Sequence, residues 1–343
     1  MKINELHQET WERLNARRVQ LPHALLFSGQ RGIGKFDLVR LFAEALLCEK
    51  PLTSGEACTH CSACNWLAQG NHPDFRLLQP DAMAETASVG ESEESSKKAS
   101  QQITIDQVRA LDDFLHVGTH RHGMRVVLIH PAEAMNRATA NSLLKALEEP
   151  IAHTVFLLVS NEPGRLLPTI RSRCQSLSIP QPAKTLATQW LRAGKVEDAE
   201  RWLALAGGSP LLAAELGRSG ERTVLDALVN QMARGGQLNP VLAAAEVDKV
   251  LKAEKGATPL KRLVDWSQKW LLDLTLASQC LPPRFFVTQA VMVQKLAQTT
   301  DTVKLLAFHK KAIQYKAQCE QPLNSRLFLE EFFLSYAAIF QIS

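Results

Sequence analysis

The stretch GQRGIGKF, at residues 29–36, carries the residue types that bind phosphate. In the pattern G-x-x-x-x-G-K-[ST], glycines let backbone N–H groups surround phosphate, a lysine neutralises its charge, and a final hydroxyl ligates Mg²⁺. The last position here is Phe36, which offers no oxygen to a metal. The loop is therefore predicted to bind nucleotide weakly or not at all. The residues that match the pattern or lie within it are Gly29, Gly32, Gly34 and Lys35.

Four of the seven cysteines lie in one short region with the spacing C-x9-C-x2-C-x2-C. Thiolates at such spacings can close a tetrahedron around Zn²⁺, and a cytosolic cluster indicates metal and not disulfides. Four sulfur atoms leave no position for a catalytic water, so a structural site is predicted. A redox pair is the competing interpretation, which three cysteines at this repeat fit less well. The predicted ligands are Cys48, Cys58, Cys61 and Cys64.

Strands and helices alternate around the phosphate-binding pattern. Residues 23–28 form a short apolar run before the loop, and residues 35–47 have apolar side chains at helical spacing. Further strands are predicted at 125–129 and 154–160, with a helix at 138–149 between them. This alternation is typical of a parallel sheet with ligands at the carboxyl ends of its strands. It disfavours the alternative that the loop is an ordinary glycine-rich turn.

The other segments differ in composition. Residues 79–102 lack aromatic residues and are rich in Ser, Glu, Ala, Lys and Gln, which predicts a flexible insertion. A linker is predicted at 180–184, and an Ala- and Leu-rich helical pattern follows it. Trp266 and Trp270 could mark a binding face, but a packed helical core is the favoured interpretation.

Composition restricts the class of protein. With 343 residues, 45% of them hydrophobic, the chain can bury large cores in two or three domains. A net charge of +4 permits contact with nucleic acid but is too small for a stand-alone DNA-binding protein. No apolar stretch could span a bilayer and no leader pattern is present, so a cytoplasmic protein without membrane contact is predicted.

Several stretches together resemble the bacterial clamp-loader AAA+ proteins over most of the chain. They are LPHALLFSGQRGIGK, the cysteine cluster continuing into QGNHPDF, ANSLLKALEEP, LLPTIRSRCQ and PLNSRLFLEE. The resemblance implies an α/β P-loop (AAA+) domain with a parallel sheet at 1–180, whose zinc module lies at 48–64. It further implies a small helical lid domain at 181–222 and an all-α collar domain at 223–343.

The chain departs from the active motors of this family at their metal site. Those motors carry an acidic pair after the strand equivalent to 125–129, which holds Mg²⁺ and activates water. Here His130 and Pro131 stand at those positions, and Glu133 is displaced in register. The stretch AGGSPLLAAE also lacks the arginine of the family's lid. Together with Phe36, these departures predict that the chain does not hydrolyse ATP.

The arginine of the SRC stretch, Arg173, is intact. The resemblance implies that it points into the ATP site of a neighbouring subunit, where an arginine supplied in trans can raise the rate by about 10³ to 10⁵. The residues alone favour a surface or salt-bridged arginine, as they do for Arg171.

The favoured hypothesis is a non-hydrolysing structural subunit of the DNA polymerase III clamp loader. The resemblance implies a hetero-pentamer with γ/τ and δ subunits, which loads the sliding β clamp on primed DNA and contacts DNA through phosphates. The alternative is a self-sufficient γ/τ-type ATPase, which would need Ser or Thr at position 36 and acids at 130 and 131. A zinc-dependent DNA-binding regulator would need a recognition helix beside the cysteines, and none is evident.

Overall fold

The computed structural model describes residues 2–85, 100–116, 119, 123–253, 258–319, 321 and 323–340. The chain divides into two compact units, Met1–Pro182 and Ala183–Ser343. The boundary falls within the predicted linker. The finer division of the second unit at residue 222 stays a prediction, and one continuous apolar core runs from Ala187 to Phe340.

The first unit contains a five-stranded sheet in the order β2-β3-β4-β1-β5, and every neighbouring pair is parallel. This sheet and the helical second unit confirm the predicted fold class. The strands are β1 (Ala24–Ser28), β2 (Phe75–Leu78), β3 (Arg125–Ile129), β4 (Thr154–Ser160) and β5 (Gln175–Ser178). The helices are α1 (Ile3–Leu6), α2 (Gln8–Ala16), α3 (Lys35–Leu47), α4 (Ser62–Ala68), α5 (Asp81–Glu85), α6 (Ile105–His116), α7 (Arg137–Glu148) and α8 (Pro168–Arg173).

The central strands are buried on both faces of the sheet. Along β4, Phe156 and Leu158 pack into the core on one face, whereas Val155 and Leu157 pack into the core on the other. A parallel strand buried on both faces has a nearly continuous apolar sequence, which explains why β1, β3 and β4 are predicted correctly. The edge strands β2 and β5 have four residues each and are only partly buried, so their sequences lack that pattern.

The structure describes only the two ends of the predicted insertion. Of the predicted insertion at 79–102, residues 86–99 lie outside the described residues, and α5 occupies part of its N-terminal end. The helices that the structure describes include none with the length and apolar character needed to cross a bilayer.

The regular secondary structure of the second unit, where the structure describes it, consists of helices joined by turns and loops. Both tryptophans of its longest helix are buried, which confirms the packed-core interpretation of Trp266 and Trp270. The Trp270 Nε1–H donates to the Tyr336 hydroxyl at 3.0 Å, and this hydroxyl donates to the Met232 carbonyl at 2.7 Å. The helices are α9 (Lys184–Ala193), α10 (Ala199–Leu205), α11 (Pro210–Arg218), α12 (Arg222–Met232), α13 (Pro240–Ala253), α14 (Leu260–Ser278), α15 (Ala290–Gln298), α16 (Thr302–Gln318) and α17 (Ser325–Ala337).

Candidate functional site

The phosphate-binding pattern forms the turn between β1 and α3. Gly32 and Gly34 have φ angles of 79° and 89°, a region that strongly favours glycine. Gly34 is the N-cap of α3, and a helix N-terminus of this kind is suited to bind an anion. A Cβ at Gly29 would lie 2.6 Å from the carbonyl oxygen of Ile179. The loop's shape therefore requires these glycines.

Lys35 is buried beneath this loop, with 3% of the residue exposed. Its Nζ donates to the carbonyl of Gln30 at 2.6 Å and to Asn161 Oδ1 at 2.9 Å. Burial lowers the pKa of Lys35 to about 8, although the Glu133 carboxylate acts in the opposite direction. Two of the three ammonium donors are thus engaged by the protein's own oxygen atoms.

Asn161 and Glu133 extend this network across the ends of β3 and β4. The backbone N–H and the Nδ2 group of Asn161 donate to Glu133 Oε1 at 3.0 and 3.1 Å. Burial acts to raise the pKa of Glu133, but hydrogen bonds from its own backbone and from Asn161 outweigh burial and lower it. Glu133 is therefore a carboxylate held by Asn161. Sequence reasoning missed Asn161, although a polar residue directly after a buried strand is a usable signal.

Phe36 and His130 contact each other at the same edge of the sheet. Their rings stack with centroids 4.5 Å apart and an interplanar angle of 22°. Burial lowers the pKa of His130 to about 4 despite the opposing charge of Glu133, so its imidazole is neutral near pH 7. The two positions at which the resemblance calls for a metal-binding hydroxyl and an acid thus carry a stacked pair of uncharged rings.

The four clustered cysteines converge, with all their sulfur atoms within 4.8 Å of one another. The sulfur of Cys64 lies 3.4 Å from that of Cys61 and 3.9 Å from that of Cys58, and the Cys48 and Cys61 sulfurs are 4.0 Å apart. Tetrahedral zinc with bonds of about 2.3 Å separates its sulfur ligands by about 3.8 Å. The spacing of the sulfur atoms therefore fits zinc.

Backbone donors support the same assignment. The Cys58 N–H lies 3.2 Å from Cys48 Sγ, and a hydrogen bond from the His60 backbone lowers the pKa of Cys58 to about 6. Burial raises the pKa of Cys64 because it disfavours the charged thiolate. A bound cation would stabilise this thiolate. Metal binding requires thiolates, and this donor set fits that requirement.

The N-terminal helices contact both the cysteine module and the phosphate loop. Glu56, within the module, accepts hydrogen bonds from Lys2 Nζ and Asn4 Nδ2, both at 2.5 Å. The buried His7 Nε2–H donates to the carbonyl of Ile33 in the loop at 2.6 Å. Residues 2–7 therefore form hydrogen bonds with both the cysteine module and the phosphate loop.

Arg173 is the last residue of α8, and 34% of its side chain is exposed. Its Nη2 pairs with Glu148 Oε1 at 2.6 Å, and its Nη1 donates to the Thr169 carbonyl at 3.0 Å. Arg171 is exposed and makes no ion pair within the described part of the chain. An open pocket of about 560 Å³ is lined by His23, Leu147, Glu148, Ser172 and Arg173.

The Arg173 pocket and the phosphate loop lie at opposite ends of β1. His23 precedes this strand and lines the pocket, whereas Gly29 follows the strand and begins the loop. A strand of five residues spans about 16 Å. The structure thus brings the loop glycines and Lys35 together and keeps Arg173 apart from them.

Comparison with known proteins gives consistent matches. The family model described as DNA polymerase III, delta subunit, matches residues 6–183. The DNA polymerase III subunit delta′ of Pseudomonas aeruginosa is 36% identical over 97% of this chain and 96% of that protein. The delta′ subunit of Bacillus subtilis is 35% identical over 64% of this chain and 62% of its own length.

A subunit of another type matches a smaller part of the chain. The DNA polymerase III subunit tau of Salmonella typhimurium is 36% identical over 45% of this chain and 21% of that protein. The delta′ match, by contrast, extends through both compact units. The chain therefore belongs to the family of DNA polymerase III delta′ subunits.

Proposed function

We propose that this chain is the non-hydrolysing subunit of a clamp loader and supplies Arg173 to the ATP site of a neighbouring subunit. The observation that carries the proposal is the position of Arg173. It is partly exposed in the pocket near the amino end of β1, whereas the chain's own loop follows the carboxyl end of this strand, which is about 16 Å long. An arginine so placed can reach a phosphate bound by another subunit more readily than one in its own loop.

The loop itself lacks the groups for hydrolysis. The Phe36–His130 stack offers neither a hydroxyl nor a carboxylate to Mg²⁺. Glu133 has a carboxylate, but its Oε1 accepts two hydrogen bonds from Asn161. Lys35 is also engaged by protein oxygen atoms, so nucleotide should bind weakly or not at all. These contacts disfavour the alternative of a self-sufficient γ/τ-type ATPase.

The proposed partners are the γ/τ and δ subunits in a hetero-pentamer, which acts on the sliding β clamp and contacts primed DNA through phosphates. Support comes from an apolar stripe on α16. Val303, Leu306 and Ile313 share one face of this helix and are 77%, 54% and 67% exposed. Exposed apolar side chains at this spacing suit packing against helices of other subunits. This assembly would act in the cytoplasm.

The four clustered cysteines are proposed to hold one structural zinc ion. Bound zinc would neutralise the thiolate charges and link the four cysteines to one another. Zinc binding of this kind can contribute on the order of 10 kcal/mol to the free energy of folding. The chain's own contribution is the set of backbone donors around the sulfur atoms and the contacts of Glu56 with α1.

Cys61→Ser should reduce the zinc content and loosen the module together with α1. The physical reason is that Lys2 and Asn4 are bonded to Glu56 within the module. Metal analysis should give one zinc per wild-type chain, and hydrogen exchange at residues 2–16 and 48–64 should become faster in the variant. Cys280→Ser, at an exposed cysteine outside the cluster, is the control. Wild-type protein without zinc, or unchanged exchange in Cys61→Ser, would contradict the site.

Lys35→Met should remove a pH dependence of stability. The pKa of Lys35 is about 8 in the folded chain against an ordinary value of 10.5, so the unfolded state holds more protons between these values and wild-type stability rises with pH there. As the pH falls from about 9.5 to about 7.5, the free energy of unfolding of the wild type should fall by on the order of 1 kcal/mol relative to that of the variant. Chemical denaturation measures this difference. Lys145→Met, at an exposed lysine, is the control and should show the same pH dependence of stability as the wild type. If Lys35→Met also kept the wild-type pH dependence, the buried charge would be refuted.

Arg173→Ala should lower ATP hydrolysis by the reconstituted loader without disturbing assembly. The effect should be partial in the total rate, because a loss of about 10³ or more applies only to the one interface that this arginine completes. Clamp loading should fall with it. Arg171→Ala, two residues away and exposed, is the matched control at equal subunit occupancy. Equal behaviour of the two variants, or normal clamp loading by Arg173→Ala, would leave this chain a purely architectural subunit.

A further inference from the structure

We propose that Glu148 is a positioning residue for Arg173, holding the guanidinium in the orientation that meets the phosphate of the neighbouring site. This inference rests on the proposed function of Arg173. Its basis is the ion pair between Glu148 Oε1 and Arg173 Nη2 at 2.6 Å, in the pocket that both side chains line.

The guanidinium of Arg173 is held from two directions. Glu148 binds one terminal nitrogen, and the Thr169 carbonyl accepts from the other at 3.0 Å. Because a guanidinium carries five N–H donors, these two contacts leave donors for an incoming oxygen atom. The two contacts together therefore orient the guanidinium and leave it donors with which to bind an anion.

Stability of the fold does not account for Glu148. It is the last residue of α7, and the C-terminal end of a helix disfavours a negative charge. Its side chain is 47% exposed, and an ion pair this accessible to solvent contributes little to folding. The arrangement has a clearer use in binding, because a long arginine side chain that is already ordered loses less conformational entropy when it meets its ligand.

The opposite role would be competition, in which Glu148 occupies the guanidinium and must be displaced by phosphate. The two roles predict changes of opposite sign when the carboxylate is removed. Positioning predicts a slower neighbouring site, whereas competition predicts a faster one. The single bond from Oε1 to Nη2, in place of a two-pronged pairing, favours positioning.

The test is single-turnover ATP hydrolysis by the reconstituted loader, in which each ATP site can contribute its own kinetic phase. Glu148→Gln keeps the length of the side chain and removes its charge. The rate at the site facing Arg173 should fall about three- to tenfold, with unchanged assembly. Glu149→Gln, at the adjacent exposed glutamate, should match wild type.

A double-mutant cycle separates positioning from a structural effect. In an Arg173→Ala background, Glu148→Gln should cause no further loss, because Glu148 acts through that arginine. A further loss there, a wild-type rate in Glu148→Gln, or a faster rate would each overturn the inference. If Arg173→Ala itself has no effect, the proposed function fails. If Arg173→Ala slows the site and Glu148→Gln does not, only the positioning role fails.

Discussion

Burial of a lysine ammonium at the carboxyl edge of a parallel sheet is the constraint on which this site depends. A buried charge needs compensating oxygen atoms, and Lys35 finds them in Gln30 and Asn161. Asn161 is in turn fixed by Glu133, so one network joins the loop after β1 to the segments that follow β3 and β4. The loop keeps the shape of a phosphate-binding turn because this network and its glycines hold it.

The same edge carries packed rings at two positions where the resemblance calls for metal-binding groups. Phe36 and His130 lie on different elements, yet their rings stack, so the two substitutions form one interaction. Restoring a hydroxyl at position 36 alone would leave His130 in place without its stacking partner. Arg173 lies at the other end of β1 and does not depend on this edge. Ring packing at this edge therefore leaves the surroundings of Arg173 unaffected, as the proposed role of this arginine requires.

Sequence patterns predict the parts of this structure that depend on local information. The buried strands β1, β3 and β4, helix α3 and the cysteine cluster each have a pattern within a short stretch of the chain. The partners of Lys35 and Arg173 have none, because Asn161 is 126 residues from Lys35 and Glu148 meets Arg173 only when α7 and α8 pack together. The short edge strands escape prediction because their exposed positions interrupt the apolar run.

ATP hydrolysis by the isolated, purified chain in the presence of Mg²⁺ tests most directly whether its loop lacks the groups for metal-dependent hydrolysis. The Phe36–His130 stack and the engagement of Glu133 by Asn161 predict a rate no higher than the background without protein. Turnover that depends on Mg²⁺, persists through purification and disappears in Lys35→Ala would contradict the account.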